Sequence, residues 1–271
     1  MDASVKASSS SSHSLPELPA NRVSAACNHP DPFSGVALPL QYENRGLTLK
    51  IRYHTLETLP PEHFDWAFHL VKSNLYEQYV AAKDTGWSDD DKRAEMQAEN
   101  PRYLIAFDET APTTTPPRPV AFCYFQFTLE DDCEVPNAET TSDTSKADKS
   151  ADKKRGSEEV VAFEKSQTSV KKPRIDSDTL QHDPKVAKPT REAIAPDDDD
   201  EDYEDVEDEK IPVVYCYELQ LESDARGKGL GAYLMNLIEE VGTAWGMRKV
   251  MLTAFKSNVS AMAFYKRLGW V

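Results

Sequence analysis

Residues Arg226-Gly227-Lys228-Gly229-Leu230-Gly231 place glycines at alternate positions with two cations among them. The segment from Tyr215 leading into them has the character of a strand, and the segment that follows has the apolar spacing of an amphipathic helix. Glycine lets the backbone turn tightly and approach a ligand closely, and the first amides of a helix point outward as anion donors, helped by the helix dipole. Arg226 and Lys228 add positive charge, so the chemistry suited to this pattern is the grip of a pyrophosphate. The spacing differs from the dinucleotide pattern Gly-x-Gly-x-x-Gly and from the longer spacing of nucleotide-triphosphate loops. The plain alternative is a strand-to-helix turn without a ligand.

Other reactive residue types offer less. Cys27, Cys123, Cys133 and Cys216 show no paired short spacing and the six histidines are scattered, so no metal site and no disulfide framework is expected. Reduced thiols fit the cytosol or nucleus. Cys216 has no histidine near it in sequence and reads as a structural thiol rather than a nucleophile.

The elements that must position the loop are set in a chain of uneven composition, 271 residues long with formal charge −16. Residues 1–45 begin with a serine run from Ser8 to Ser12 and no apolar stretch, which predicts a disordered segment with neither a signal peptide nor a membrane span. Residues 131–210 form a second polar tract, too poor in apolar surface to offset the entropy of ordering, and read as a disordered insertion. Two basic clusters inside it, Lys153-Lys154-Arg155 and Lys171-Lys172-Pro173-Arg174, are either a bipartite nuclear import signal or solvated charge. The acidic run from Asp197 to Glu209 is either a solvated linker or an attractor of a basic partner. The negative balance argues against direct nucleic-acid binding.

Residues 46–130 and 211–271 remain, and together they make one small α/β domain split by the insertion. Alternation predicts a strand at 47–54, and the segments 102–108, 120–129, 213–221 and 249–254 also read as strands, the first two of these joined by a proline-rich turn at 112–119. Helical spacing predicts helices at 60–83, at 88–96 with Ser88 as N-cap, at 229–245 and at 258–268. The order βααβββαβα gives a mixed sheet flanked by helices, with the last strands near-parallel because a helix connects them.

This order, with the glycine loop after the fourth strand and Asn258 opening the helix that carries Phe264-Tyr265, resembles the GNAT acetyltransferases. Within that family the sequence is most similar to the NatD group, the N-alpha-acetyltransferases of histone 4 and histone 2A. The similarity is carried by Tyr215-Cys216-Tyr217-Glu218-Leu219-Gln220-Leu221-Glu222-Ser223, by Lys228-Gly229-Leu230-Gly231, by Lys249-Val250-Met251-Leu252-Thr253, and by Gly86-Trp87 ahead of Lys92-Arg93 and Glu95-Met96. The resemblance implies an acetyl-CoA cosubstrate: Leu219 and Leu221 lend backbone groups to its pantetheine arm, Arg226 to Gly231 hold its pyrophosphate, and Asn258 touches it. It further implies a peptide site lined by Tyr215, Tyr217, Glu218, Thr253 and Glu130, with Trp87 and a tyrosine, Tyr76 or Tyr79, beside them. Thr128 stands where the family places an acidic residue, and the sequence stops at Leu268-Gly269-Trp270-Val271, before the family's closing strands, as a truncated domain would.

The implied reaction is direct attack of an α-amine on the thioester. Glu218 is the candidate general base, Tyr217 positions the amine or relays its proton, and Tyr265 protonates the leaving thiolate or packs in the core. The expected substrates are the Ser-Gly-Arg-Gly tails of histone 4 and histone 2A, met by a monomer in nucleus and cytoplasm, without membrane or metal. The alternatives are a lysine or small-amine acetyltransferase and an inactive GNAT module that binds histones.

Overall fold

The computed structural model describes residues 18–82, 86–110, 116–132, 160–167 and 210–271. Its elements, in chain order, are α1 (Pro19–Asn28), β1 (Gln41–Asn44), β2 (Leu47–Thr55), α2 (Pro61–Ala81), α3 (Asp89–Met96), β3 (Arg102–Asp108), β4 (Arg118–Asp131), β5 (Val160–Ser166), β6 (Lys210–Leu221), α4 (Leu230–Ala244), β7 (Lys249–Phe255) and α5 (Val259–Arg267). The strands form one seven-stranded sheet in the order β1-β2-β3-β4-β6-β7-β5. All neighbours are antiparallel except β6 and β7, which α4 connects and which run parallel, as a helical crossover requires.

Each face of the sheet buries its own core. On one face, α2 presents Phe64, Phe68 and Val71, and α3 presents Met96, to Tyr103, Ile105, Phe122 and Tyr124 of the central strands. On the other, Leu230, Leu234, Leu237, Ile238 and Val241 of α4 form one stripe against Val214, Cys216, Val250 and Leu252. Helix α2 starts at Pro61, where a missing N–H costs nothing. Helix α3 is capped by Ser88 Oγ, which accepts from the Asp91 amide at 3.3 Å, and carries three aspartates in its first turn where the helix dipole favours them.

The boundaries expected from sequence for these elements hold to within a few residues, but both polar segments contain structure. Within 1–45 lie α1 and β1, tied down by the buried Ala26, Phe33 and Tyr42. Within 131–210 lies β5, which pairs along the whole of β7 from Val160 opposite Phe255 to Ser166 opposite Lys249. Phe163 anchors it in the core beside Tyr265, and Glu164 reaches Lys249 Nζ at 3.2 Å, where Asp132 also binds at 2.9 Å. Strand β7 is therefore not a sheet edge, and the Val271 backbone adds two hydrogen bonds to Glu164. The serine run, both basic clusters and the acidic run lie outside the described residues. No described helix is long and apolar enough to cross a membrane.

Candidate active site

Strands β6 and β7 pair only from Val213 to Cys216 against Lys249 to Leu252, whereas β4 follows β6 as far as Leu221. From Tyr217 to Leu221, β6 consequently has one backbone edge without β7, and a cavity of about 1600 Å³ opens where the strands diverge. An unpaired strand edge offers N–H and C=O groups to an extended ligand lying along it. Leu219 and Leu221 lie on this edge, line the cavity and pack their side chains against the larger core.

The β4–β6 register shifts at the same place. Phe125 stands opposite Cys216 and Tyr124 opposite Glu218, so Tyr217 has no partner residue on β4. Strict alternation would send Tyr217 and Glu218 to opposite faces; this β-bulge turns both toward α2 and α3. Tyr217 stacks on Tyr124 with centroids 5.0 Å apart and tilts against Tyr215 at 4.6 Å. Cys216 faces the other core, its Sγ 3.7 Å from that of Cys123. The contact with Cys123 and burial push its thiol well above the ordinary range, so it stays protonated.

Glu218 sits in a buried charge cluster. Its Oε1 accepts from Lys92 Nζ at 2.5 Å and its Oε2 from Gln220 Nε2 at 2.8 Å. Lys92 also donates to Glu95 Oε1 and to the Tyr79 hydroxyl, each at 2.9 Å. Burial by itself would lower the Lys92 ammonium, but Glu218, then Tyr79 and Glu95, outweigh it and hold its pKa well above the usual lysine value. The Tyr79 hydroxyl is pushed up to about 12, by burial first and the Glu218 charge second. A chain of side chains continues from this cluster. Gln220 Oε1 accepts from Asn74 Nδ2 at 2.9 Å, and Asn74 Oδ1 accepts from Arg226 Nη2 at 2.5 Å.

Arg226 thus connects the cluster to the glycine loop, and its Nε also donates to the Leu221 carbonyl at 3.1 Å. Gly227 and Gly229 adopt φ of 72° and 90°, the left-handed region that favours glycine. Gly229 is the N-cap of α4, whose next amides, those of Leu230, Gly231 and Ala232, have no acceptor within the helix. The loop is held from outside by the β1–β2 hairpin. The Tyr42 hydroxyl donates to the Lys228 carbonyl at 2.5 Å and Arg45 Nη1 to the Gly227 carbonyl at 3.0 Å.

Of the residues singled out from sequence, the cavity gathers Tyr215, Tyr217, Glu218, Leu219, Leu221, Arg226, Gly227, Gly229, Gly231, Glu130, Thr253, Asn258 and Tyr265. Lys228 and Leu230 do not line the cavity, and the Leu230 side chain is fully buried in the core. Asn258, which lines the cavity, caps α5 with its Oδ1, accepting from the Ala261 amide at 3.1 Å. Burial pushes the Tyr265 hydroxyl well above its ordinary range, so it keeps its proton. Tyr76 is turned outward and Trp87 stands behind Tyr79, ring against ring at 5.2 Å, so Tyr79 is the tyrosine of this helix that lines the cavity. Among the described residues no group of His, Cys, Asp and Glu could hold a metal ion.

Tyr42, Arg45 and Asn74 were not singled out from sequence, and Lys92 carried part of the resemblance without being given a role. A two-residue gap between alternating segments, Arg45-Gly46, is the signal that would have placed the hairpin, and the shared face of Lys92 and Met96 on α3 the one that would have buried the lysine.

Residues 194–270 match the sequence model of the acetyltransferase (GNAT) family. Solved structures also overlay on the chain. The tetramutant of the BH1408 protein from Bacillus halodurans is 14% identical, with 81% of this chain and 91% of that one covered and a TM-score of 0.39. The aminoglycoside N-acetyltransferase AAC(6')-Iy in complex with CoA is 12% identical, with 84% and 91% covered and a TM-score of 0.38. An aminoglycoside acetyltransferase from an uncultured soil metagenomic sample is 13% identical, with 81% and 86% covered and a TM-score of 0.36. Overlays this loose assign no substrate. The matched segment contains the edge of β6, the glycine loop, α4, β7 and α5, and it is in these parts that the chain is similar to the acetyltransferase (GNAT) family.

Proposed function

We propose that the protein transfers acetyl from acetyl-CoA to the α-amine of proteins beginning Ser-Gly-Arg-Gly, the N-termini of histone 4 and histone 2A. The observation that carries this reading is the buried cluster of Lys92, Glu95, Glu218 and Tyr79, set in the cavity beside the free edge of β6. Glu99, Glu130 and Asp131 lie nearer the rim, opposed by Lys210. An acidic rim of this kind favours a peptide with a basic residue close to its N-terminus. Thr128 on the same wall is neutral, which leaves that attraction to Glu130 and its neighbours.

Acetyl-CoA supplies an activated thioester. An amine attacks a thioester only when neutral, and an α-amine with a reference pKa of about 7.7–8.0 is partly protonated near neutrality. The chain must therefore remove a proton. Glu218 Oε2, held by the neutral Gln220 amide rather than by the Lys92 ammonium, is the oxygen better placed to accept it, directly or through one water. Tyr217 and Tyr215, tilted against each other in the cavity wall, orient the amine. Tyr265, held protonated by its burial, donates to the departing thiolate.

The test is incubation with acetyl-CoA and a Ser-Gly-Arg-Gly peptide containing an internal lysine, followed by fragmentation mass spectrometry. Acetyl on the first residue supports the reading. Acetyl on the lysine side chain would make the protein a side-chain amine acetyltransferase, and peptide binding without transfer would make it a binding module.

A further inference from the structure

We propose that the β1–β2 hairpin is part of the cofactor site, with Tyr42 and Arg45 as positioning residues that aim two amides of the glycine loop at the pyrophosphate. This rests on the reading of that loop as the acetyl-CoA site. The hairpin lies outside the matched residues 194–270 and at the far edge of the sheet from β7.

Two donors from one turn take two consecutive loop carbonyls, Arg45 that of Gly227 and Tyr42 that of Lys228. In a trans peptide the C=O of one residue and the N–H of the next point in opposite directions. Fixing the Gly227 carbonyl toward Arg45 therefore turns the Lys228 amide away from the hairpin. Fixing the Lys228 carbonyl toward Tyr42 does the same for the Gly229 amide. These two join the unsatisfied amides of Leu230, Gly231 and Ala232 at the start of α4, so the hairpin sets how many donors an anion meets. Without the two side chains the loop peptides can rotate, and their carbonyls would repel a phosphate.

The rest of the contact is built for this geometry. Asn44 stands opposite Leu47, so Arg45-Gly46 is a two-residue turn with φ of 48° and 77°, the positive values that a tight hairpin of this kind requires. It leaves the Arg45 side chain at the tip, level with the loop. The Tyr42 ring is packed against Tyr233 of α4 at 5.1 Å, and the Tyr233 hydroxyl donates to the Pro39 carbonyl at 2.6 Å. A Cβ at Gly229 would come within 2.8 Å of the Tyr42 hydroxyl. The glycine is thus needed for the approach of Tyr42 as well as for its φ.

The test uses the whole chain, CoA as titrant in calorimetry, and the variants Tyr42→Phe, Arg45→Met and Arg45→Gln. Phe keeps the ring against Tyr233 and removes only the donor; Gln keeps a donor and removes the charge. Loss of one such hydrogen bond is expected to weaken CoA by about 3- to 10-fold in Tyr42→Phe and Arg45→Met, with the melting temperature lowered by no more than about 6 °C and peptide KM unchanged, and with Arg45→Gln close to the native chain. CoA affinity within about 2-fold of native in both donor-free variants would overturn the inference. So would Arg45→Gln binding as weakly as Arg45→Met, because charge rather than orientation would then be at work. A native chain that binds no CoA would remove the cofactor reading itself, a different failure from native binding that the variants leave intact.

Discussion

Replacing Lys92 by methionine tests whether the buried cluster is an ion pair that the fold depends on. Lys92 and Glu218 are 3% and 4% exposed, so removing the ammonium leaves a carboxylate with almost no access to water and with Glu95 as its neighbour. Breaking a buried pair from one side typically costs about 3–5 kcal/mol, most of it the penalty of the stranded charge. For a domain of this size each kcal/mol lowers Tm by roughly 2–4 °C, so a fall of about 6–20 °C is expected. Lys92→Met with Glu218→Gln removes the stranded charge and should recover much of the loss. Denaturant unfolding of the four chains, extrapolated to water, gives the coupling directly. The pH dependence has a definite sign. The folded-state pKa of Lys92 is raised, so its contribution is complete below the unfolded lysine value of about 10.4 and is lost only as pH climbs through the higher folded one. The native chain should therefore show no loss from this group between about pH 6 and 9. A Lys92→Met chain within about 1 kcal/mol of native, or a double variant no better than the single one, would refute the reasoning.

Glu218→Gln keeps shape and most hydrogen bonding but removes basicity: kcat should fall about 100-fold or more with peptide KM little changed, and higher pH should recover part of it, as steady-state kinetics would show. Unchanged kcat would move the base role to Tyr217. Gly229→Ala forces a side chain into φ 90° and toward the Tyr42 hydroxyl, so CoA affinity measured by calorimetry should drop about 10-fold or more in a chain that still folds. Excising 160–166 removes Phe163 from the core, where its burial alone contributes about 1.5–3 kcal/mol, and bares the edge of β7; thermal melting should shift down by at least about 5 °C, and an unshifted melt would mean that β5 adds nothing.

The parts that sequence predicted well share one property: their pattern is local. The stripe of α4, the Ser88 cap and the alternation of β2 are complete within a dozen residues. The parts that it missed are stabilised by partners far along the chain. Strand β1 is only Gln-Tyr-Glu-Asn with Tyr42 buried, and its register comes from β2. Helix α1 has no side-chain cap and buries fully only Ala26. Strand β5 has one fully buried side chain, Phe163, in a polar tract, and only the ladder with β7 and the Lys249 bridge make it a strand. The polar composition of the surrounding tracts hid them, even though β5 opens on the apolar run Val160-Val161-Ala162-Phe163, and a polar tract does not exclude pairing when a neighbouring edge supplies the hydrogen bonds.

The candidate site shows the same division more sharply. The glycine loop was evident because backbone freedom and cation placement are written in adjacent residues, whereas in Asp-Asp-Asp-Lys-Arg-Ala-Glu-Met only the face that Lys92 shares with Met96 marks it as buried. Its burial depends on the bulge at Tyr217. With plain alternation Glu218 would face the apolar side that holds Cys123 as an unpaired buried charge, and Lys92 would lose its nearest carboxylate and keep only Glu95. The bulge and the ion pair therefore stabilise each other: the extra residue turns the carboxylate to the α3 side, and the ammonium there makes that orientation much the better one. The same extra residue accompanies the divergence of β6 from β7 and so the opening of the cavity, which ties the charge cluster to the edge of β6 that β7 leaves, by backbone geometry rather than by any motif.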